Sequence, residues 1–362
     1  MKKTKNFAAT LLLVLLGTTL SCKAAGEQAS QYFNDWPEQA QPALVGKRLA
    51  ENFLKRKHTK RLWYGVAITW HGAFRLAEET GDKSLSEKLI RRFDFYLQPK
   101  NEARFTDKFH VDFAMLGVIP IEVYLRNNDE RSRELGMARA DEQWQDPDEN
   151  GITRQARYWV DDMYMITAIQ TAAYRVTGDQ KYLDRTALTI AHYLKKLQRP
   201  NGLFWHAEDS PFSWGRGVGW YATAMADILK VLPFENPHYQ PIMAGYKKLM
   251  NTLLKYQSES GLWRQVVDKS EFWEETSGSA MFTYAMIAGV KRGWLDEVSF
   301  GPAVRKAWLA LVSQLDEQAN LKNVCRATSK AFNKVGSNID KQHEFYLKRP
   351  AKTGDYHGQG PM

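Results

Sequence analysis

Two adjacent carboxylates, Asp161 and Asp162, lie in the stretch Arg157-Tyr158-Trp159-Val160-Asp161-Asp162-Met163-Tyr164-Met165, at the start of an apolar helical run. An Asp in a first helical turn ordinarily accepts hydrogen bonds from free backbone N–H groups and complements the helix dipole. Two carboxylates exceed the need of one cap. Beside Trp159, Tyr158 and Tyr164 a carboxyl is expected to be partly desolvated, which raises its pKa toward values useful for proton transfer.

The second dense stretch is Ser213-Trp214-Gly215-Arg216-Gly217-Val218-Gly219-Trp220-Tyr221. Three glycines in five residues argue against a helix interior, so a glycine-rich turn leading into a helix is expected. That turn would hold the Arg216 guanidinium between two indoles. A phosphate loop is excluded, because no strand precedes it and no Gly-Lys-Ser/Thr follows. His206 stands just before this stretch, and Asp112 reads either as a pocket carboxylate or as a helix cap. His110 is expected at the surface, and Trp273-Glu274-Glu275 reads as a solvated start of a helix. Arg349 and His357 lie in a polar closing segment that could equally be a solvated loop. Aromatic planes with carboxylates and an Arg suit a sugar acid: rings stack on its faces and the guanidinium can take its carboxylate bidentately. There is no His-Glu-x-x-His, no clustered His at ligand spacing and no Gly-x-Ser-x-Gly elbow, so neither a metal, a cofactor nor a serine nucleophile is expected.

The elements that carry these residues are helices. Apolar spacing is helical almost throughout, and strand-like alternation is scarce. Turn signals at Gly81, Asn128, Gly178, Pro233 and Gly293 follow one another at 47 to 60 residues, and Arg75–Asp82 (RLAEETGD) and Tyr174–Asp179 (YRVTGD) are near copies. Such a period predicts helical hairpins, each unable to bury its apolar face alone. Segments rich in Ala, Gly, Met and aromatics (63–80, 110–128, 159–177, 215–232, 275–292) alternate with charged amphipathic ones (38–57, 83–97, 130–142, 180–199, 238–257, 300–317). The first class should be buried all round and the second should lie outside. The expected fold is all-α, an (α/α)6 barrel, with an open solenoid as the competing architecture. A sixth inner helix would start near Asp355, where few residues remain. The segments leading into the inner helices would meet at one mouth, whose helix N-termini favour an anionic ligand.

The chain has 362 residues, 44% of them hydrophobic, and no linker composition, so a single large domain is expected over 38–362. Its formal charge of +9 is spread without a dense basic run, which disfavours nucleic acid. Lys2, Lys3 and Lys5 ahead of the apolar run Leu11–Leu16 predict a signal peptide over 1–21, too short for a membrane span. Thr19-Leu20-Ser21-Cys22 resembles a bacterial lipoprotein cleavage box, giving a lipidated Cys22, a tether over 22–37 and a periplasmic or outer-membrane-anchored location. The only membrane contact expected is that lipid. Cleavage near Ala25 is the alternative. With Cys22 lipidated or removed, Cys325 alone remains and no intrachain disulfide can form.

Trp159-Val-Asp161-Asp162-Met-Tyr-Met, Trp214-Gly-Arg216-Gly-Val-Gly-Trp220 and Ser277-Gly-Ser-Ala-Met-Phe-Thr-Tyr284 together resemble the unsaturated glucuronyl and rhamnogalacturonyl hydrolases, glycoside hydrolase families 88 and 105, the second more closely. The closing Tyr346-Leu-Lys-Arg349 and Asp355-Tyr-His357-Gly-Gln-Gly also resemble their C-terminal signature. The resemblance implies an (α/α)6 barrel acting on lyase-generated oligosaccharides that end in a uronic acid with a C4=C5 double bond. The implied reaction is hydration of that vinyl ether, with Asp161 protonating C4 and assisting the water that adds at C5. It further implies substrate contacts for Tyr64, Asp112, His206, Trp214, Arg216 and Trp220. It leaves Asp162 open, since relatives often have Gly or Asn there, and Val218 replaces a usual Asn. Rhamnose-linked substrates, from ulvan or rhamnogalacturonan, are expected. Two other readings stand beside this one: a non-catalytic glycan-binding helical repeat protein, and an (α/α)-barrel glycosidase acting on saturated chains with two carboxylates.

Overall fold

The computed structural model describes residues 31–105 and 108–362. Helices α1 (Pro42–Lys55), α3 (Lys83–Leu97), α6 (Glu130–Glu142), α8 (Lys181–Leu197), α10 (Tyr239–Tyr256) and α12 (Glu297–Ser313) form the outer layer. Between them run α2 (Tyr64–Thr80), α5 (Val118–Asn127, preceded by the single turn α4, Val111–Ala114), α7 (Asp162–Thr177), α9 (Gly215–Leu229) and α11 (Thr276–Lys291). The inner helices pack in the ring α2–α5–α7–α9–α11, and the short α15 (Tyr356–Gln359) touches both α11 and α2. The ring is therefore closed, an (α/α)6 barrel, and the open solenoid is ruled out. Its sixth inner position is taken by one helical turn. A Cβ on Gly72 would stand 2.7 Å from the Gly360 carbonyl, so this turn meets α2 backbone to backbone.

The sequence punctuation works as helix caps. Gly81, Asn128 and Gly178 take the left-handed conformation at the ends of α2, α5 and α7, which frees the last carbonyls for capping N–H groups. The Asp that follows then starts the next helix: Asp82 accepts from Leu85 N and Asp129 from Ser132 N. The first Thr-Gly-Asp copy is thus a stop signal and a start signal in adjacent residues, whereas in the second Gly178 stops α7 and Asp179 accepts from Lys181 N without capping α8. Layering follows composition. Helices α9 and α11 are buried almost all round, whereas α3 buries one stripe, Leu85, Leu89, Phe93 and Tyr96.

Among the described residues, strands are confined to two short antiparallel pairs. One is β1 (Trp263–Arg264) with β2 (Glu274–Glu275), which leads directly into α11. The other is β3 (Val324–Cys325) with β4 (Ala351–Lys352), enclosing α13 (Phe332–Val335) and α14 (Ile339–Leu347). Residues 31–37, expected as part of a tether, lie on α12: Arg305 donates to the carbonyls of Tyr32, Asn34 and Asp35 and stacks over Trp36 at 4.5 Å. The predicted signal peptide and Cys22 lie outside the described residues. Among the described residues, no helix is long and apolar enough to cross a membrane.

Candidate active site

Each inner helix brings its N-terminal end to the same mouth and delivers a functional side chain there: Tyr64 on α2, Asp112 on α4, Asp161 just before α7, Arg216 on α9, Glu275 just before α11 and His357 on α15. From the sequence, most of these are expected near one end of a barrel. Their local surroundings differ from expectation in several respects.

Asp161 and Asp162 have opposite jobs. Asp162, fully buried, accepts from the backbone N–H groups of Arg157 and Trp159, from the Tyr193 hydroxyl at 2.8 Å and from the Arg157 guanidinium at 2.7–2.8 Å. It fixes the loop, and neither of its oxygens is idle. Asp161 sits at the cap position of α7 yet makes no side-chain cap. Its Oδ2 is buried without a hydrogen-bond partner. His206 Nε2 approaches that oxygen to 3.3 Å but off-line, so the contact is electrostatic.

Burial alone would raise the Asp161 pKa, as the aromatic surroundings suggested. His206, Arg157 and Arg216 outweigh it, and the carboxyl is held below its ordinary range. Asp112 goes the other way: burial raises it, only partly countered by Arg157, 3.3 Å away, and by His110. His110 is not merely a surface residue, since its Nδ1 accepts from Asp112 N and caps α4.

Arg216 is fully buried and stacks on Trp214 at 4.5 Å. It is not clasped between two indoles: Trp220 pairs instead with Tyr164, at 4.8 Å, and with Tyr64, at 6.5 Å. The guanidinium donates to Ser277 Oγ and to the carbonyls of Cys325 and Arg326, with Glu275 4.0 Å away. A bidentate grip on a ligand carboxylate is thus not open to it as it stands; Nε alone has no partner. Glu275 was expected to be solvated. It is buried, accepts from Ser277 N, Gly278 N and Cys325 N, and balances the Arg216 charge.

The glycines around Arg216 do not form a turn. Gly215–Leu229 is helical, and the missing side chains serve close packing. A Cβ on Gly278 would lie 2.8 Å from the Gly215 carbonyl carbon and 3.0 Å from Arg216 N. The first turns of α9 and α11 therefore meet backbone to backbone, which sets Arg216 directly beside Ser277.

His206 stacks on Trp214 with centroids 4.7 Å apart, and its Nδ1 lies 2.7 Å from the Tyr346 hydroxyl. With Nε2 facing the Asp161 carboxylate, the network assigns the ring proton to Nε2 and makes Nδ1 the acceptor from Tyr346. The Tyr64 hydroxyl lies 2.7 Å from His357 Nε2, and His357 Nδ1 lies 2.6 Å from Asp355 Oδ1. Burial, with Asp112 adding to it, raises the Tyr64 pKa. Arg349 is not drawn in: it donates to Thr328 Oγ1 and the Ala327 carbonyl and braces the β3–β4 segment.

Sequence reasoning passed over Arg157, Ser277 and Asp355 as site residues. It also treated Glu275 as solvated and Tyr346 only as part of a closing signature. Arg157, Ser277, Glu275 and Tyr346 each have a partner distant in the chain, for which spacing carries no signal, and Asp355 matters through His357, whose own link to Tyr64 spans 293 positions. Asp161 Oδ2, His206 Nε2, Trp214 Nε1, Arg216 Nε and Trp220 Nε1 are all buried without hydrogen-bond partners. Such a set is costly unless a polar ligand completes it.

A family model described as Glycosyl Hydrolase Family 88 matches residues 39–362. An unsaturated 3S-rhamnoglycuronyl hydrolase of Formosa agariphila is 34% identical over 119 residues, 32% of this chain and 30% of that protein. An unsaturated rhamnogalacturonyl hydrolase of Bacillus subtilis is 25% identical over 210 residues, 56% of each chain. The matched stretches thus span little more than half of these hydrolases at most. A solved structure described as a possible member of the GH105 family from Salmonella enterica superposes with a TM-score of 0.77 at 17% identity, covering 91% of this chain and 93% of that one. That likeness shows the same barrel.

Proposed function

The chain belongs to glycosyl hydrolase family 88, matched over residues 39–362, and from that premise we propose that it removes a non-reducing-end 4,5-unsaturated uronic acid from lyase-generated oligosaccharides. The unsaturated 3S-rhamnoglycuronyl hydrolases of Formosa agariphila and Alteromonas and the unsaturated rhamnogalacturonyl hydrolase of Bacillus subtilis support this reading, and rhamnose-linked substrates, from ulvan or rhamnogalacturonan, are the class we assign. The observation that carries it is Asp161 Oδ2. Of the carboxylates at the mouth it is the one buried without a hydrogen-bond partner, beside His206 and within the field of Arg216.

Asp161, as the acid, gives its proton to C4. The C4=C5 electron pair becomes the new C–H bond, and the ring oxygen supports the cation left at C5. Water adds there, losing one proton to a basic group of the site, and the resulting hemiketal opens and releases the aglycone. Asp161 is ionised in the free enzyme because His206, Arg157 and Arg216 favour its charge. An incoming uronate adds a negative charge and competes for His206 and Arg216, which pushes the Asp161 proton affinity up at the moment the acid is needed. The indole N–H groups of Trp214 and Trp220 supply donors for sugar hydroxyls.

Wild-type protein should abolish the ultraviolet absorbance of unsaturated disaccharides released by ulvan or rhamnogalacturonan lyases. Asp161→Asn should lower kcat by about 10²–10⁴-fold while retaining binding by calorimetry. Binding without turnover in the wild type would reassign the protein as a glycan-binding module. Release of sugar from saturated chains alone would reassign it as a two-carboxylate glycosidase. We further propose export through residues 1–21 with lipidation at Cys22, which labelled-palmitate incorporation lost in Cys22→Ala would test.

A further inference from the structure

Tyr64, His357 and Asp355 form a hydrogen-bonded line beside Asp161 that the steps above leave unused. A carboxylate only accepts, so the 2.6 Å contact to Asp355 Oδ1 places the ring proton of His357 on Nδ1. Nε2 then keeps its lone pair, and the Tyr64 hydroxyl, 2.7 Å away, donates to it. The phenol oxygen is left with acceptor capacity, in the field of Asp112, Arg216, Asp161 and Arg157. Asp355 is held in turn by His357 N at 3.1 Å and Lys352 at 3.4 Å, and the Trp63 ring packs 5.1 Å from the imidazole. All of this hangs on the one-turn α15 that closes the barrel.

We propose that this line is the base side of the reaction: Tyr64, and through it His357, takes up a proton from the water that adds at C5. The inference rests on the hydration proposed above. As the water oxygen forms its bond to C5, one water O–H bond breaks and that proton goes to Tyr64 Oη. The Tyr64 O–H bond breaks in the same movement, and its proton goes to His357 Nε2, giving an imidazolium paired with Asp355. Asp161 has meanwhile given its proton to C4, so the site gains one proton and loses one. The imidazolium proton leaves through Tyr64 to solvent, and Asp161 takes up a proton again when the next uronate binds. Tyr64 is the catalytic residue of this line, and His357 and Asp355 position it. The groups facing His357 are Asp355, Tyr64, Arg216 and Asp161; burial, and then Arg216, keep the imidazole below its ordinary basicity, hence neutral and able to accept at neutral pH.

Steady-state kinetics on an unsaturated disaccharide would test it with Tyr64→Phe, Asp355→Asn, His357→Gln and the double Tyr64→Phe/His357→Gln, each checked for folding by thermal unfolding. Each single change should lower kcat by about 10²-fold or more with KM little altered, since general base help has that magnitude. The double should fall no further than the worse single, because the residues act as one unit. Should His357→Gln fail to fold, the near-isosteric Asp355→Asn carries the comparison with Tyr64→Phe. Spectra of ¹⁵N-histidine-labelled protein, which need no substrate, should show His357 as the Nδ1–H tautomer, with its signal displaced in Asp355→Asn. Losses that multiply, a loss residing in KM, or an Nε2–H tautomer would overturn the relay alone. A wild type that leaves the unsaturated disaccharide intact while showing the Nδ1–H tautomer would overturn the assigned reaction, and the relay's place in it.

Discussion

Burial alone would raise the Asp161 pKa, yet the carboxyl is held below its ordinary range, and its partners explain why. The buried His206, with Nε2 turned to the carboxylate, and the buried Arg216 both favour the ionised form. A uronate that engages these two groups should therefore bind together with a proton. Calorimetric titration of Asp161→Asn with an unsaturated disaccharide, in buffers of different ionisation enthalpy, should show less proton uptake than an inactive variant that retains Asp161. Equal uptake would assign the proton elsewhere, and Asp112, whose pKa burial raises, would be the next candidate. Asp162 shows how little residue type says about role. One position along the chain from the free carboxylate, it spends every acceptor on Arg157, Trp159 and Tyr193.

At the scale of elements, the loop leading into α7 is held under local strain. Tyr158 has φ +56°, a left-handed conformation unfavourable by about 1–3 kcal/mol for a bulky side chain. Tyr193 on α8 secures it: its hydroxyl accepts from Tyr158 N at 3.0 Å, donates to Asp162 Oδ2 and stacks its ring on Tyr158. Tyr193→Phe should cost about 1.5–3 kcal/mol in thermal or denaturant unfolding, the value of a hydrogen bond to a buried charge. It should also lower kcat, because Asp161 rides on the same loop. A neutral effect on both would mean the loop needs no such brace. The junction of α9 with α11 makes the second element-level prediction. Gly278→Ala should cost about 1–3 kcal/mol by forcing the two backbones apart, and should lower activity through Arg216 and Ser277. Unfolding curves and kcat/KM measured on the same preparation would check both effects.

The whole barrel carries ionisable groups far from its mouth, and these set its response to pH. His71 on α2 lies 3.5 Å from Glu122, yet burial pulls its pKa down to about 4 against the pull of that carboxylate, so the contact is not an ion pair at neutral pH. Between its ordinary 6.5 and about 4, the unfolded chain binds a proton that the native one refuses. Stability is thus complete above that window and declines as pH falls through it, with a slope approaching about 1.4 kcal/mol per pH unit for one proton. His71→Gln should flatten unfolding free energies there. Glu122 is lowered because His71, once protonated in acid, together with Arg175 and Arg126 outweighs its burial, and Asp227 because Lys230 and Arg75 do. Their contribution is fully present above the ordinary carboxylate range and is lost only in stronger acid. Urea titrations across pH would show two declines, with His71→Gln reducing the first and shifting the Glu122 part of the second.

Periodicity, cap residues and composition were enough to predict alternating inner and outer helices, since a helix that is apolar all round must be surrounded and a glycine followed by Asp punctuates the chain. The closed ring rather than an open solenoid was decided by packing. They also located Tyr64, Asp112, Asp161, His206, Trp214, Arg216, Trp220 and His357 near one mouth, because each precedes or opens an inner segment. Tertiary structure decided what those residues do. Whether a carboxylate is an idle acid or a tied acceptor depends on groups far away in sequence, as Arg216 and the main chain at Cys325 are brought together across 109 positions. The same holds for the direction of the Asp161 pKa, which burial pushes one way and converging cations the other. The ring closes on the single turn α15, whose packing between α2 and α11 no local pattern could convey.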